Sequence, residues 1–251
     1  DRHVVAGLQR ALRTRGSEPQ SPAWRVTVAV HDETTVTAIW PGLHDTAYGI
    51  AFDIGSTTVA GHLCDLHTGD VLASAGEMNP QIRFGEDLMS RVSYVMMHPG
   101  SEQELTKAVR GCLAKLTAEL AKDAGIDRSD VLELTLVGNP VMHHLLLGID
   151  PTELGGAPFA LAVDESLSVR ASDLRLPVNP GARAYVLPCI AGHVGADTAG
   201  VILSEAPHDQ EQVNLIVDVG TNAEIVLGNR ERLLAASSPT GPALEGAQIS
   251  C

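Results

Sequence analysis

No C-x-x-C pair occurs among the four cysteines, Cys64, Cys112, Cys189 and Cys251. Their spacings fit neither a zinc site nor an iron–sulfur site, both of which need grouped thiolates. A chain of this length needs no disulfide staples, and Cys112 falls in a helical apolar stripe, where a thiol acts as a small hydrophobe. A reducing, cytoplasmic setting is the expectation. No apolar run approaches the roughly 18–20 residues of a membrane helix. The opening DRHVVAGLQRALRTRG lacks the apolar centre of a secretory signal. Positive charge is scarce, with 17 Lys and Arg against 31 Asp and Glu and a formal net charge of −14. A field of that sign repels phosphate backbones and anionic lipid, so neither a nucleic-acid partner nor a membrane surface is expected. A Walker A loop and a G-x-G-x-x-G turn after a strand are both missing, which removes P-loop and Rossmann readings. An initial Met is missing too, and the last residues, GPALEGAQISC, read as the inside of a glycine-bearing loop. A fragment cut at both ends is expected.

What is present suits a globular core. Hydrophobic residues make up 44% and charged residues 19%, which excludes a wholly disordered or collagen-like chain. Residues 1–47 read as the tail of an upstream linker or middle domain, with a partial helix, a linker and two alternating runs, WRVTVAV and TVTAIW. Residues 48–251 read as one domain. Three strand-like runs over 49–80 form a meander. An amphipathic helix over 102–124 shows the stripe Leu105, Ala108, Val109, Cys112, Leu116, Leu120 and stops at Gly125. LELTLVGN (132–139) is a buried strand, and PVMHHLLLG (140–148) a helix with Pro in its first turn. The poorly periodic stretch 150–182 reads as an excursion packed on the domain or as part of a small subdomain. A strand (182–188), a helix (191–204), three more strand-like runs and a Gly/Pro loop come next. Strands alternating with helices indicate an α/β architecture.

IAFDIGSTTVAGHL and LIVDVGTNAEIVLG superpose on Asp53 and Asp218. Each has an apolar strand, Asp, an apolar residue, Gly, a hydroxyl residue and a second strand. This is an internal duplication with a long insert between its halves. A strand ending in Asp leaves a carboxylate at the mouth of a sheet. Gly55 and Gly220 let the backbone approach a ligand. The N–H groups and side chains of Ser56, Thr57, Thr58, Thr221 and Asn222 can hydrogen-bond phosphate oxygens. Asp53 and Asp218 repel phosphate directly, so they make sense with Mg²⁺ and its waters in between. Two such hairpins facing each other would clamp the β- and γ-phosphates of ATP. Strand alternation puts Glu224 on the face of Asn222, near that cation. Gly241 and Glu245, in SPTGPALEGAQ (238–248), read as a loop that the fold could bring to the cleft.

AFDIGSTT and IVDVGTN resemble the two phosphate motifs of the acetate and sugar kinase/heat-shock chaperone/actin superfamily. The resemblance implies a duplicated ribonuclease-H-like fold, an actin-like ATPase truncated at its C-terminus. In AGHVGADTAGVIL it implies that Asp197 faces the attacking water, the alternative being that Asp197 merely caps or solvates its helix. The superfamily's later Gly-Gly adenosine loop is not reached. NPQIRFGEDLMSR (79–91), GNPVMHHLLLGIDP (138–151), LPCIAGHVGADT (187–198), IVDVGTNAEIVLG (216–228) and GPALEGAQISC (241–251) together resemble the reductive activators of corrinoid proteins. That resemblance implies ATP-dependent return of a Co(II) corrinoid to Co(I), a corrinoid-protein partner, an electron donor and a homodimer. It also implies a [2Fe–2S] cluster, which no cysteine before residue 48 could hold and which is expected only in a missing N-terminal domain. The alternatives are a small-molecule kinase using the same cleft and a nucleotide-gated interaction module. Several polar residues stay open between roles. His143 and His144 read as one packed and one solvated histidine, and His193 as solvated or facing the cleft. Arg83, Glu86, Asp87 and Arg91 read as a solvated face or a docking segment.

Overall fold

The computed structural model describes residues 1–14, 24–220 and 222–240. The chain opens with helix α1 (Arg2–Arg13) and an antiparallel hairpin, β1 (Val26–His31) with β2 (Thr35–Pro41). His31 Nδ1 lies 3.0 Å from Glu133 Oε1, and Arg170 pairs with Asp1 at 2.8 Å, so this opening region is fastened to residues far along the chain.

The meander β3 (Tyr48–Ile54), β4 (Thr58–Asp65) and β5 (Val71–Met78) comes next. Ile50, Phe52 and Ile54 on β3 lie opposite Leu63, Gly61 and Val59 on β4, and these five side chains are buried on one face. Asp53 is exposed on the other. Helix α2 (Leu88–Met97) leads to the long α3 (Glu102–Ala124), whose Leu105, Val109, Cys112, Leu116 and Leu120 are buried against the meander. Gly125, at φ 68°, takes the left-handed conformation that ends α3. Strand β6 (Val131–Gly138) runs parallel to β3, and α4 (Pro140–Leu147) starts with Pro140 in its first turn. The Asn139 side chain caps α4 by accepting from the Met142 N–H.

Strands β7 (Leu167–Arg170) and β8 (Arg183–Val186) complete a six-stranded sheet of order β5-β4-β3-β6-β8-β7, in which β3, β6 and β8 are mutually parallel. Helix α5 (Ala196–Glu205) packs on β6. A second antiparallel meander, β9 (Asn214–Val219), β10 (Asn222–Asn229) and β11 (Arg232–Pro239), forms its own sheet. The fold is α/β and ribonuclease-H-like, with the duplicate beginning at β9, as in actin-like ATPases. Among the described residues no helix is long and apolar enough to cross a membrane.

Three elements differ from the sequence reading. The charged stretch 79–91 runs into α2, β7 joins the sheet edge from within the excursion, and α5 starts at Ala196 rather than 191. The last shift arises because Ala191 and Val194 close a tight bridge first, leaving Gly195 as the N-cap. Leu116 is wholly buried, so Leu116→Ala is expected to cost about 2–5 kcal/mol of stability. Lys107→Ala, on the exposed side of α3, should stay within about 0.5 kcal/mol. Urea denaturation measures both.

Candidate functional site

Parallel strands carry their C-terminal ends to one edge of a sheet, and ligands bind outside such edges. Here the ends of β3 and β6 are in register, with Ile54 beside Gly138 and Asp53 beside Val137. Val137 lies under Gly200 of α5: a Cβ added to Gly200 would stand 3.4 Å from Val137 Cγ1. Helix α5 therefore crosses the face of the sheet that Asp53 occupies, one strand away, and Asp197 in its first turn arrives beside Asp53. Close approach needs Gly195 at this point. A Cβ there would lie 2.6 Å from the Gly138 carbonyl and 2.7 Å from Asp197 Oδ1. Asp197 Oδ1 accepts from the Thr198 N–H at 2.7 Å.

The second meander supplies the facing wall. Asp218 stands directly opposite Glu224, and Glu224 directly opposite Ser237, so the three form one cross-strand row. Ser237 Oγ donates to Glu224 Oε1 at 3.0 Å. Like charges directly across a strand pair are destabilising. A row that keeps Asp218 beside Glu224 is therefore a functional signal.

These pieces enclose a cavity of about 360 Å³ lined by Asp53, Asp197, Asp218 and Glu224, by Gly55, Ser56, Thr57 and Thr58, and by Gly220, Asn222 and Asn139. Asp53, Asp197, Asp218, Gly55 to Thr58, Gly220, Asn222 and Glu224 thus all line one cavity. Thr221, Gly241 and Glu245 lie outside the described residues. Asn139 is a lining residue that the pattern did not single out. Its signal was the Gly-Asn-Pro turn at the end of β6, on the ligand edge.

The electrostatics are lopsided. Among the described residues, no lysine or arginine lines the cavity. Asp53 keeps solvent contact along the cleft, yet lost hydration pushes its carboxyl up to about 6, with Asp197 and then Asp218 adding repulsion. Burial, and then the charge of Asp218, raises Asp197, against the hydrogen bond from Thr198. Burial also raises Glu224, helped by Asp197 and Asp218 and opposed by Ser237. A hard cation would relieve all of this, and oxygen donors are what Mg²⁺ takes. Among the described residues, no three His, Cys, Asp or Glu stand close enough together to ligate a metal directly. The donor set fits a cation held through its waters.

The histidines sit elsewhere. Both His143 and His144 are buried, at 2% and 1% exposure, because α4 is covered on every side from Pro140 to Leu146. His144 Nε2 accepts from the Ala162 N–H at 3.0 Å, and its Nδ1 faces the Pro140 carbonyl at 2.9 Å. Burial pushes His143 down to about 4. His193 lies against Phe159 and lines a neighbouring cavity of about 440 Å³ that shares Leu88 and Asn222 with the acidic one. Arg83 and Glu86 are exposed, and Asp87 caps α2 by accepting from the Ser90 N–H at 2.7 Å. Arg91 is neither solvated nor on a docking surface: it is 0% exposed.

Residues 48–210 match the family model of the RACo middle region, and residues 212–251 match that of the C-terminal domain of RACo, the ASKHA domain. A corrinoid activation enzyme, RamQ, of Eubacterium limosum is 40% identical over 203 residues, which span 81% of this chain and 34% of the relative. The [Co(II) methylated amine-specific corrinoid protein] reductase of Methanosarcina barkeri is 27% identical over 214 residues, 81% of this chain and 38% of the relative. The solved structure of a reductive activator for a corrinoid, iron–sulfur protein superposes with a TM-score of 0.88 and 32% identity, over 99% of this chain and 39% of that one. The chain thus spans between a third and two-fifths of these relatives.

Proposed function

The chain belongs to the RACo family, and from that premise we propose that it supplies the ATP-binding part of a reductive activator of corrinoid proteins. The whole protein would return an inactive Co(II) corrinoid to Co(I) for methyl transfer. Each event moves one electron onto cobalt from a donor outside this chain. The described cysteines, Cys64, Cys112 and Cys189, are free thiols placed singly and do not fit a [2Fe–2S] centre. No electron step is therefore assigned to these residues.

One observation carries the reading: acidic side chains from both halves of the duplication meet at one cavity whose other polar groups are hairpin amides and hydroxyls and the Asn139 side chain. Asp53 and Asp218 would hold hydrated Mg²⁺, which when bound neutralises phosphate charge. Gly55 to Thr58 and Gly220 to Asn222 would hold the phosphate oxygens. Asp197, fixed at the start of α5 by Thr198, would orient the attacking water or take its proton. Closure of the two meanders on ATP and their release on ADP would couple hydrolysis to docking of the corrinoid protein.

The test uses the full-length protein, its Co(II) corrinoid partner, a chemical reductant and Mg²⁺, with the cobalt state followed by absorbance and electron paramagnetic resonance. Conversion to Co(I) is expected with ATP and not with a non-hydrolysable analogue. Equal conversion without nucleotide would sink the proposal. Tight ATP binding without hydrolysis would favour an interaction module. The kinase alternative needs convergent polar groups for an acceptor. The neighbouring cavity sets Asp87, His193, Asn222 and Ser237 among Leu88, Met89, Pro140, Val141, Leu154 and Pro239, so apolar side chains outnumber the polar groups an acceptor would use.

A further inference from the structure

Asn79, Gln81 and Arg91 are each 0% exposed, an uncommon degree of burial for such side chains. All three belong to the segment made of the 3₁₀ turn Pro80–Phe84 with its cap and the first turns of α2, and none lines the acidic cavity. Their hydrogen bonds converge on one place. Asn79 Nδ2 donates to the Gly55 carbonyl at 2.8 Å, the Arg91 guanidinium donates to the Ser56 carbonyl, and the Asn79 N–H donates to the Thr57 carbonyl at 2.7 Å. Three successive carbonyls of the first hairpin turn are thus held from behind by a segment more than twenty residues away.

The network is closed around the arginine. Arg91 Nε donates to the Gly85 carbonyl at 3.0 Å, and Nη1 reaches Gln81 Oε1 at 3.4 Å and Met142 Sδ at 3.3 Å. Gln81 Nε2 donates to the Leu105 carbonyl at 2.9 Å, and Asn79 Oδ1 accepts from the Gln81 N–H at 3.0 Å. Among the described residues, every acceptor of the guanidinium is neutral. Burial pushes Arg91 down to about 10, with the charge of nearby Asp87 opposing the fall, and this leaves it charged at neutral pH. A buried cation without a bonded carboxylate is costly unless something gains from its charge.

In a planar trans peptide, the carbonyl of one residue and the N–H of the next point in opposite directions. Holding the Gly55, Ser56 and Thr57 carbonyls from behind therefore turns the N–H groups of Ser56, Thr57 and Thr58 towards the opposite side, where these residues line the cavity. The Arg91 charge sits at the carbonyl end of the Ser56–Thr57 peptide, polarising its N–H for an anion. Building the turn this way fixes its donors before any ligand arrives, which removes the ordering cost from binding.

We propose that Arg91, with Asn79, is a positioning residue that presets the 55–58 turn to receive phosphate, so that α2 reaches the nucleotide through the loop backbone. This rests on the ATP reading above. The experiment measures ATP and adenosine binding by calorimetry to the full-length protein, wild type, Arg91→Met and Arg91→Lys. The Met variant is expected to weaken ATP about tenfold or more, the scale of one lost charge-assisted hydrogen bond, and to leave adenosine binding unchanged. The Lys variant should recover part of the loss, since an ammonium can still donate to the Ser56 carbonyl. If Arg91→Met does not fold, Arg91→Lys is read by the same selectivity. Equal ATP affinity in a folded variant, or parallel loss of ATP and adenosine, would overturn the proposal. Wild-type protein that binds no ATP would instead overturn the functional reading, and this inference with it.

Discussion

Asp197→Asn is expected to lower ATP turnover by about 10²–10⁴-fold, the usual worth of a positioned acid–base group, while nucleotide binding persists. Asparagine keeps the size of the side chain and an oxygen for the Thr198 N–H, so the first turn of α5 should stay intact. What it removes is the charge and the ability to take a proton. It also removes the repulsion that Asp197 exerts on Asp53 and Glu224. Phosphate should therefore bind at least as well as before. Single-turnover phosphate release, set beside calorimetric ATP affinity, separates the two effects. Unchanged release would reduce Asp197 to a helix-terminal residue. Loss of release and of binding together would make it part of the binding surface.

Asp53→Asn should cost about 10–100-fold in Mg²⁺ affinity, the range for groups that hold a metal through an intervening ligand. Its second signature is a dependence of stability on pH. The Asp53 carboxyl is raised from its ordinary 3.8 to about 6 in the folded protein. Between those values the folded chain keeps a proton that the unfolded chain has released. Stability of the metal-free protein should consequently fall as pH rises through that window, and stay lower above it. Mg²⁺ with ATP needs the ionised carboxylate, so its stabilising effect should grow over the same window. Thermal melts of wild type and Asp53→Asn between pH 4 and pH 7.5, with and without Mg²⁺ and ATP, test both trends. A wild-type Mg²⁺ effect that is flat across pH 6, or equal in the variant, would remove Asp53 from the cation site.

What the sequence revealed was set by distance along the chain. The stripe Leu105, Val109, Cys112, Leu116, Leu120 and the stop at Gly125 are local, and the helix they announce runs from Glu102 to Ala124 as read. The two Asp-Gly hairpins are local as well, and in both the flanking strands pair antiparallel. Helix α2 escaped notice because GEDLMSR looks like surface, although Leu88, Val92 and Val95 keep helical spacing and Asp87 is a recognisable cap. Strand β7 has only four residues, and pairing with β8 defines it. Arg91 could not have been read as buried, since its carbonyl partner at Ser56 lies 35 residues away. The meeting of Asp197 with Asp53 likewise depends on α5 crossing β6, a tertiary fact that the repeat alone does not contain.

The two copies of the hairpin are not equal. β3 ends at Ile54 and β4 begins at Thr58, whereas β9 ends at Val219 and β10 begins at Asn222. Asp53 accordingly pairs with Ala60, seven positions on, and Asp218 with Glu224, six positions on. A perfect duplicate would set two equivalent hairpins against the cavity. One residue fewer between the paired positions, and Glu224 where the first copy has Ala60, make the two hairpins inequivalent. The chain records its ancestry as a symmetry and its polarity as the place where that symmetry fails.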